Sequence, residues 1–160
     1  MFAIVYNNKR KKRENNLSEK FWEKKSLEDF TSEEWEAICC RCGRCCQIKL
    51  QDEDSDEVYY TDLVCRYFNH ENCNCTCYEE RCKLVPECLK LDMNNVDKIK
   101  WMPQACAYRF LYTTGTLPDW HPLITGKPLE EKHSIKGRCT SELLVKEEDW
   151  EDHILEDEEP

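Results

Sequence analysis

Glycine is scarce: four in 160 residues, at Gly43, Gly115, Gly126 and Gly137. Standing apart, they form neither glycine-rich phosphate-cradling pattern, which argues against a nucleotide-binding enzyme. Long apolar runs are missing as well. Nothing approaches the roughly 20 residues that cross a bilayer, so no membrane span is expected. No export leader is expected either, because the apolar stretch Phe2-Ala3-Ile4-Val5-Tyr6 is short and the basic run Lys9-Arg10-Lys11-Lys12-Arg13 follows it instead of preceding it. The expected compartment is therefore the reducing cytoplasm, where disulfides are rare. No Ser/His/Asp or paired-carboxylate arrangement stands out, so no catalytic residues are assigned.

Charge and cysteine are plentiful. Charged residues make up 35% of the chain against 40% apolar, with a net charge of −10. That composition fits one globular domain whose core is thin for its length. Thirteen cysteines are too many for packing alone, and an odd number leaves one thiol over in any fully paired disulfide framework. Clustered thiols in a reducing compartment point to metal or iron–sulfur ligation instead.

Residues 1–18 are polar and Lys/Arg/Asn-rich, and read as a disordered basic arm, solubilising rather than nucleic-acid-binding. A single domain is expected over 19–155, then an acidic tail over 156–160. Within the domain, Thr31-Ser32-Glu33-Glu34 ahead of Trp35 and Ile38 is a capping-box pattern that starts a helix running into the first cysteines. The stretches 47–50 and 58–64 are β-rich, and the acidic segment 51–57 between them reads as a hairpin turn. Helices are expected over 77–84, over 93–101 with Asp92 as cap, and over 104–113 with Gly115 as the stop. The prolines of 117–128 predict irregular chain, and Trp150, Ile154 and Leu155 suit a short helix docking on the domain. No internal repeat is visible. The fold class is α+β: a small, helix-dominated, loop-rich domain with one β-hairpin, stapled by cysteine-ligated metal or iron–sulfur centres.

The dense part of the sequence is Cys39-Cys40-Arg41-Cys42-Gly43-Arg44-Cys45-Cys46. Cys39, Cys42 and Cys45 form a C-x₂-C-x₂-C ladder, in which each two-residue spacer lets the chain turn back so that successive sulfurs reach one centre. Zinc sites and cuboidal iron–sulfur clusters both use this arrangement. Gly43 suits the tight wrapping, and Arg41 and Arg44 offset thiolate charge. In an extended chain Cys45 and Cys46 would point to opposite sides, so either they serve two neighbouring centres or one is a buried packing thiol. By the same rule an extended Cys73-x-Cys75-x-Cys77 would present three sulfurs on one face. Thirteen thiols allow up to three four-ligand centres, and two suit a chain of this size.

The run Trp35-Glu36-Ala37-Ile38-Cys39 through Cys46, with Lys49-Leu50, Val58-Tyr59-Tyr60-Thr61 and Cys65-Arg66, resembles the YcgN branch of the bacterial YkgJ-type cysteine-cluster proteins. The similarity continues through Cys73-Asn74-Cys75, Pro86-Glu87-Cys88, Cys106-Ala107-Tyr108-Arg109 and Asp149-Trp150-Glu151-Asp152-His153, covering about 21–155. The resemblance implies a zinc- or iron-chelating domain. Position by position it implies nine metal ligands: Cys39, Cys42, Cys45, Cys46, Cys65, Cys73, Cys75, Cys88 and Cys106. Cys40, Cys77, Cys82 and Cys139 are extra thiols. More distant relatives with the same ladder include flagellin lysine methylases thought to hold an iron–sulfur cluster, a pointer toward iron. Zinc and iron–sulfur both stay open as cofactors. An iron–sulfur redox or group-transfer enzyme and a zinc-stapled interaction module stay open as functions, and the sequence names no partner.

Other candidates favour plainer readings. Asp52, Asp54 and Asp56 alternate like the start of a calcium loop, but Glu57 and Leu63 occupy the positions of its glycine and bidentate glutamate, so a solvated turn is expected. His121 reads as a hydrogen-bonded structural histidine, and His70 as a backup ligand near Cys65 and Cys73. Arg66, Arg81, Lys83 and Arg109 are candidate charge compensation. Tyr59, Tyr60, Trp101, Tyr108 and Trp120 are expected in the core.

Overall fold

A computed structural model describes residues 19–97 and 101–156. The basic arm and residues 157–160 of the acidic tail lie outside the described residues.

Helix α1 (Phe21–Lys24) carries two buried aromatics, Phe21 and Trp22, into the largest apolar cluster. Helix α2 (Ser32–Ile38) starts on the expected capping box. Thr31 Oγ1 accepts from the Glu34 amide at 3.2 Å, and the Glu34 carboxylate accepts from the Thr31 amide at 2.8 Å. The same carboxylate takes two bonds from Lys25 Nζ, at 2.7 and 2.9 Å, which ties α1 to the start of α2. These bonds hold the buried Glu34 carboxyl below the usual carboxylate range, the Lys25 bond chief among them.

Strands β1 (Gln47–Gln51) and β2 (Val58–Val64) form the expected antiparallel hairpin, with Lys49 opposite Tyr60 and a register shift between Gln47 and Lys49. The acidic turn closes on itself: Asp52 Oδ1 accepts from the amides of Asp54 and Ser55 and from Ser55 Oγ. It is a turn held by an aspartate side chain, as the plainer reading expects. Two features go beyond the sequence reading. Strands β3 (Phe68–Asn69) and β4 (Asn74–Cys75) make a second small antiparallel pair, and β5 (Thr140–Ser141) adds to β2 in parallel.

The remaining helices are shorter than expected. In 77–84 only α3 (Arg81–Leu84) is helical, and residues 93–97 form turns instead of a helix. There Asp92 Oδ1 accepts from the Asn94 amide, so Asp92 organises a turn of its own. Residues 98–100 lie outside the described residues. Helix α4 (Ala107–Thr114) begins three residues later than expected and stops at Gly115, whose φ is 75°. Helix α5 (Pro122–Thr125) interrupts the expected irregular stretch. The C-terminal segment is a 3₁₀ helix, Glu147–His153, docked on β2. Ile154 bridges Thr61, the Leu155 amide donates to the Tyr60 carbonyl at 2.8 Å, and His153 Nδ1 lies 2.6 Å from Asp62 Oδ1.

Among the described residues the core is divided into three clusters. Phe21, Trp22, Ile38, Cys40, Ala107, Leu111 and Leu117 form the first. Val64, Phe68, Cys73 and Ile135 form the second, and Met102 and Cys106 the third. Tyr60 is buried as expected, whereas Tyr59 faces solvent and donates to Glu57, because neighbouring strand residues face opposite ways. His121 is buried: Nδ1 accepts from the Leu123 amide at 3.1 Å and Nε2 lies 2.9 Å from the Ile38 carbonyl. This is the structural histidine expected, with Nε2 as the protonated nitrogen, and it fixes the end of α2 just before the cysteines.

Candidate metal centre

The cysteine loop leaves α2 at Cys39 and enters β1 at Gln47. Arg41 (φ 60°) and Gly43 (φ 82°) both turn left-handed, so the chain doubles back twice. Gly43 is required sterically: an added Cβ would stand 2.8 Å from Ile135 Cγ1 and 2.9 Å from the Phe68 ring. The Ile135 amide donates to the Cys42 carbonyl at 2.9 Å and locks the loop onto the second apolar cluster. A 3₁₀ turn over Arg44–Cys46 follows. Because that turn is not extended, Cys45 and Cys46 do not diverge, and their thiols hydrogen-bond to each other.

All thirteen cysteines are reduced. Twelve of them line one wide, open cleft, together with Lys49 and Arg81; Cys139 lies outside it. All nine ligands that the resemblance implies are therefore in this cleft. The sulfurs pair instead of converging. Among the described residues, no three Cys, His, Asp or Glu side chains are grouped to hold one metal ion as they stand. Cys40 bonds to Cys42, Cys46 to Cys45, and Cys75 Sγ lies 3.6 Å from Cys77 Sγ. The donor chemistry fits a thiophilic metal or cluster, although the side chains do not draw a closed shell.

Charge in the cleft is uneven. Donation from Cys46, and then the nearby Lys49 and Arg81 charges, bring the Cys45 thiol down to about 6, while the Cys40 bond lowers Cys42. Burial pushes Cys106 up to about 12 and Cys88 to about 11. Cys39 is exposed at the cleft wall, yet crowding and its thiol neighbours raise it as well. Lys49 is the cation that the sequence reading missed. Its Nζ donates to the Arg44 and Gln47 carbonyls at 3.0 and 2.8 Å and lies over the Tyr60 and Trp101 rings. Burial lowers the Lys49 pKa, and the Cys45, Cys46, Cys42 and Cys106 sulfurs act against that shift. The available signal was its position on β1 two residues beyond Gln47, just after the cysteine run. Of the expected cations, Arg81 faces Cys45 and Cys88 and stacks on Tyr78, whereas Arg66 is engaged by Glu142 at 2.9 Å.

The remaining thiols have their own surroundings. Cys73 (φ 53°) breaks the extended chain expected through Cys77, is buried in the second apolar cluster and hydrogen-bonds with Ser134. Cys82 Sγ donates to the Cys88 carbonyl. His70 Nδ1 lies 3.6 Å from Cys139 Sγ, outside the cleft.

A family model described as "Putative zinc- or iron-chelating domain" matches residues 38–107, which hold all nine of these cysteines but not Cys139. A UPF0260 protein of Marinobacter nauticus is 50% identical over 138 residues, which cover 84% of this chain and 93% of that one. The chain belongs to the UPF0260 family. The UPF0260 protein of Vibrio atlanticus is 46% identical over 84% of this chain and 94% of its own. The UPF0260 protein YcgN of Salmonella paratyphi A is 44% identical, with 84% and 92% covered, in line with the YcgN-type resemblance of the cysteine pattern. No solved structure matches. As in the sequence reading, no helix among the described residues of this UPF0260 chain is long and apolar enough to cross a membrane.

Proposed function

We propose that this UPF0260 protein is a metal chelator whose cleft thiolates hold zinc or iron, the iron as an iron–sulfur cluster, and that the bound metal joins the three apolar clusters into one domain. The observation that carries this reading is the gathering of twelve reduced cysteines in one cleft with Lys49 and Arg81 beside them. Reduced thiols at this density, flanked by cations that favour the thiolate, are the donor chemistry of both alternatives. When bound, the metal supplies cross-linking between segments, and an iron–sulfur cluster would also supply an electron-transfer centre. The chain's own contribution is to turn the loop at Arg41 and Gly43, to seat that loop on Phe68 and Ile135, and to offset thiolate charge with Lys49.

Anaerobic purification followed by elemental analysis, visible spectroscopy and labile-sulfide assay tests the reading. Colourless protein with stoichiometric zinc would identify the zinc form. Brown protein with labile sulfide would identify the iron–sulfur form and keep a redox role open. Protein that carries no metal as purified and takes up neither on anaerobic reconstitution would overturn the reading.

A further inference from the structure

We propose that Cys75 and Cys77 are a redox-active thiol pair, a modification site at which a hydroperoxide closes a reversible disulfide. The inference goes beyond the chelator reading and stands apart from it.

Geometry carries it. Cys75 Sγ and Cys77 Sγ lie 3.6 Å apart, so closing to the roughly 2.05 Å of a disulfide asks for a movement of about 1.5 Å shared by two side chains. Both thiols are half-buried and line the open cleft, and Thr76 between them is exposed, so an oxidant dissolved in water can reach them. The backbone keeps the two sulfurs facing. Cys75 ends β4, where it pairs with Phe68 of β3. The Thr76 amide and hydroxyl both donate to the Tyr67 carbonyl, at 2.8 and 3.0 Å, and the Cys77 carbonyl accepts from the Glu80 amide at 2.9 Å. Two reacting groups held in contact by a fixed chain need no encounter to meet.

Two other thiol pairs touch, and each has an obstacle that this one lacks. Cys40 bonds to Cys42, but Cys40 packs into the largest apolar cluster and is only 7% exposed. Cys45 bonds to Cys46, but adjacent residues share one peptide, and joining their sulfurs closes a small ring that strains its planar trans form. The spacer Thr76 relieves the third pair of that strain.

The chemistry balances with hydrogen peroxide as the oxidant. One thiolate attacks a peroxide oxygen and breaks the O–O bond, which leaves a sulfenic acid and hydroxide. The second thiolate attacks that sulfenic sulfur, forms the S–S bond and expels a second hydroxide. The two protons given up by the thiols convert both hydroxides to water. Two thiols have then lost two electrons and two protons, and one peroxide has become two waters. A dithiol reductant reopens the pair by exchange and is itself left as the disulfide.

The test maps oxidation on the full-length chain, both as purified anaerobically and after chelator treatment. Each sample receives one equivalent of hydrogen peroxide, its remaining thiols are alkylated with N-ethylmaleimide, and tandem mass spectrometry locates the products. In at least one of the two states a Cys75–Cys77 disulfide should be the first to form, lighter by two hydrogens, with the nearby Cys73 still alkylated. Dithiothreitol should restore both thiols. C75S and C77S should each abolish this disulfide and leave the surviving sulfur as a sulfenic acid that dimedone traps, while C139S oxidises like the wild type. The inference is overturned if, in both states, Cys45–Cys46 or Cys40–Cys42 closes first, Cys75 bonds to a different cysteine, or both thiols stay alkylated. Where a serine variant fails to fold, the wild-type map still decides. Metal content is measured separately, so failure of the pair leaves the chelator reading standing, and a chain that binds no metal leaves the pair standing.

Discussion

Replacing Gly43 by alanine probes how firmly the cysteine loop is seated. The backbone there has φ +82°, and a Cβ would stand 2.8 Å from Ile135 Cγ1 and 2.9 Å from Phe68 Cε2. Any residue with a Cβ loses about 1–2 kcal/mol in the left-handed region. Overlap with two buried core side chains adds about 1–3 kcal/mol. G43A should therefore cost about 2–5 kcal/mol, a large part of the roughly 5–15 kcal/mol that holds a domain together. Gly115 provides the control, with φ +75° and nothing within 4 Å of its Cβ. G115A should show only the conformational cost, about 1–2 kcal/mol. Urea unfolding of both variants at matched metal loading, followed by tryptophan fluorescence, isolates the steric part as the difference between them. Equal midpoint shifts would refute the claim that Ile135 and Phe68 press on the loop.

Four further outcomes are expected. Lys49→Met removes the cation nearest Cys45 and Cys46 and should weaken metal binding about 10–100-fold in a chelator competition; unchanged affinity would deny Lys49 that role. Cys42→Ser should sharply lower bound metal by elemental analysis while Cys139→Ser leaves it intact, and equal losses would contradict the ligand set. Glu34 has a depressed carboxyl, so its stabilisation is fully present above the unfolded value near 4.5 and fades as pH falls through the lower folded value. E34Q should cost about 1–3 kcal/mol at neutral pH and flatten the acid limb of the stability curve, and an unchanged limb would show the Lys25 bond to be irrelevant. Burial lowers the His121 pKa, so stability should fall as pH drops below about 6.5, where the unfolded state takes up a proton that the buried ring resists. H121Q should lose that slope in urea titrations between pH 7 and 5; a slope that survives points to another group.

The elements written plainly in the sequence were those with a local signal. The capping box of α2 and the β1–β2 hairpin form where expected, since a Thr-x-x-Glu box and a β-rich pair around an acidic turn need only near neighbours. The helix expected over 77–84 shortens to Arg81–Leu84, and residues 93–97 of the one expected over 93–101 form turns, because tertiary contacts outweigh propensity in such short segments. Strands of two residues, such as β3 and β4, carry no periodicity to detect. Within the site, the ladder identified the cleft residues but not their partners. That Cys46 turns toward Cys45, and that Cys73 turns away into the Val64–Ile135 cluster, depends on a 3₁₀ turn and a positive φ that spacing does not encode. Lys49 escaped notice for a similar reason: a lysine on a strand reads as solvent-facing until Tyr60 and Trp101 are seen beneath it.

The division of the core bears on what the cysteines do. Among the described residues the three buried clusters have seven, four and two members, and each includes a cysteine: Cys40 in the first, Cys73 in the second and Cys106 in the third. Each cluster alone buries too little apolar surface to offset the ordering of the loops between them. Structural zinc contributes on the order of 10 kcal/mol to folding, as much as an entire domain's net stability. On the proposed reading, ligand loss and fold loss are therefore one event for most of these residues. Stability alone then cannot separate a ligand such as Cys106 from a packing thiol such as Cys73, since removing either disturbs a core cluster. Metal stoichiometry can, because only the ligand changes how many ions the chain holds.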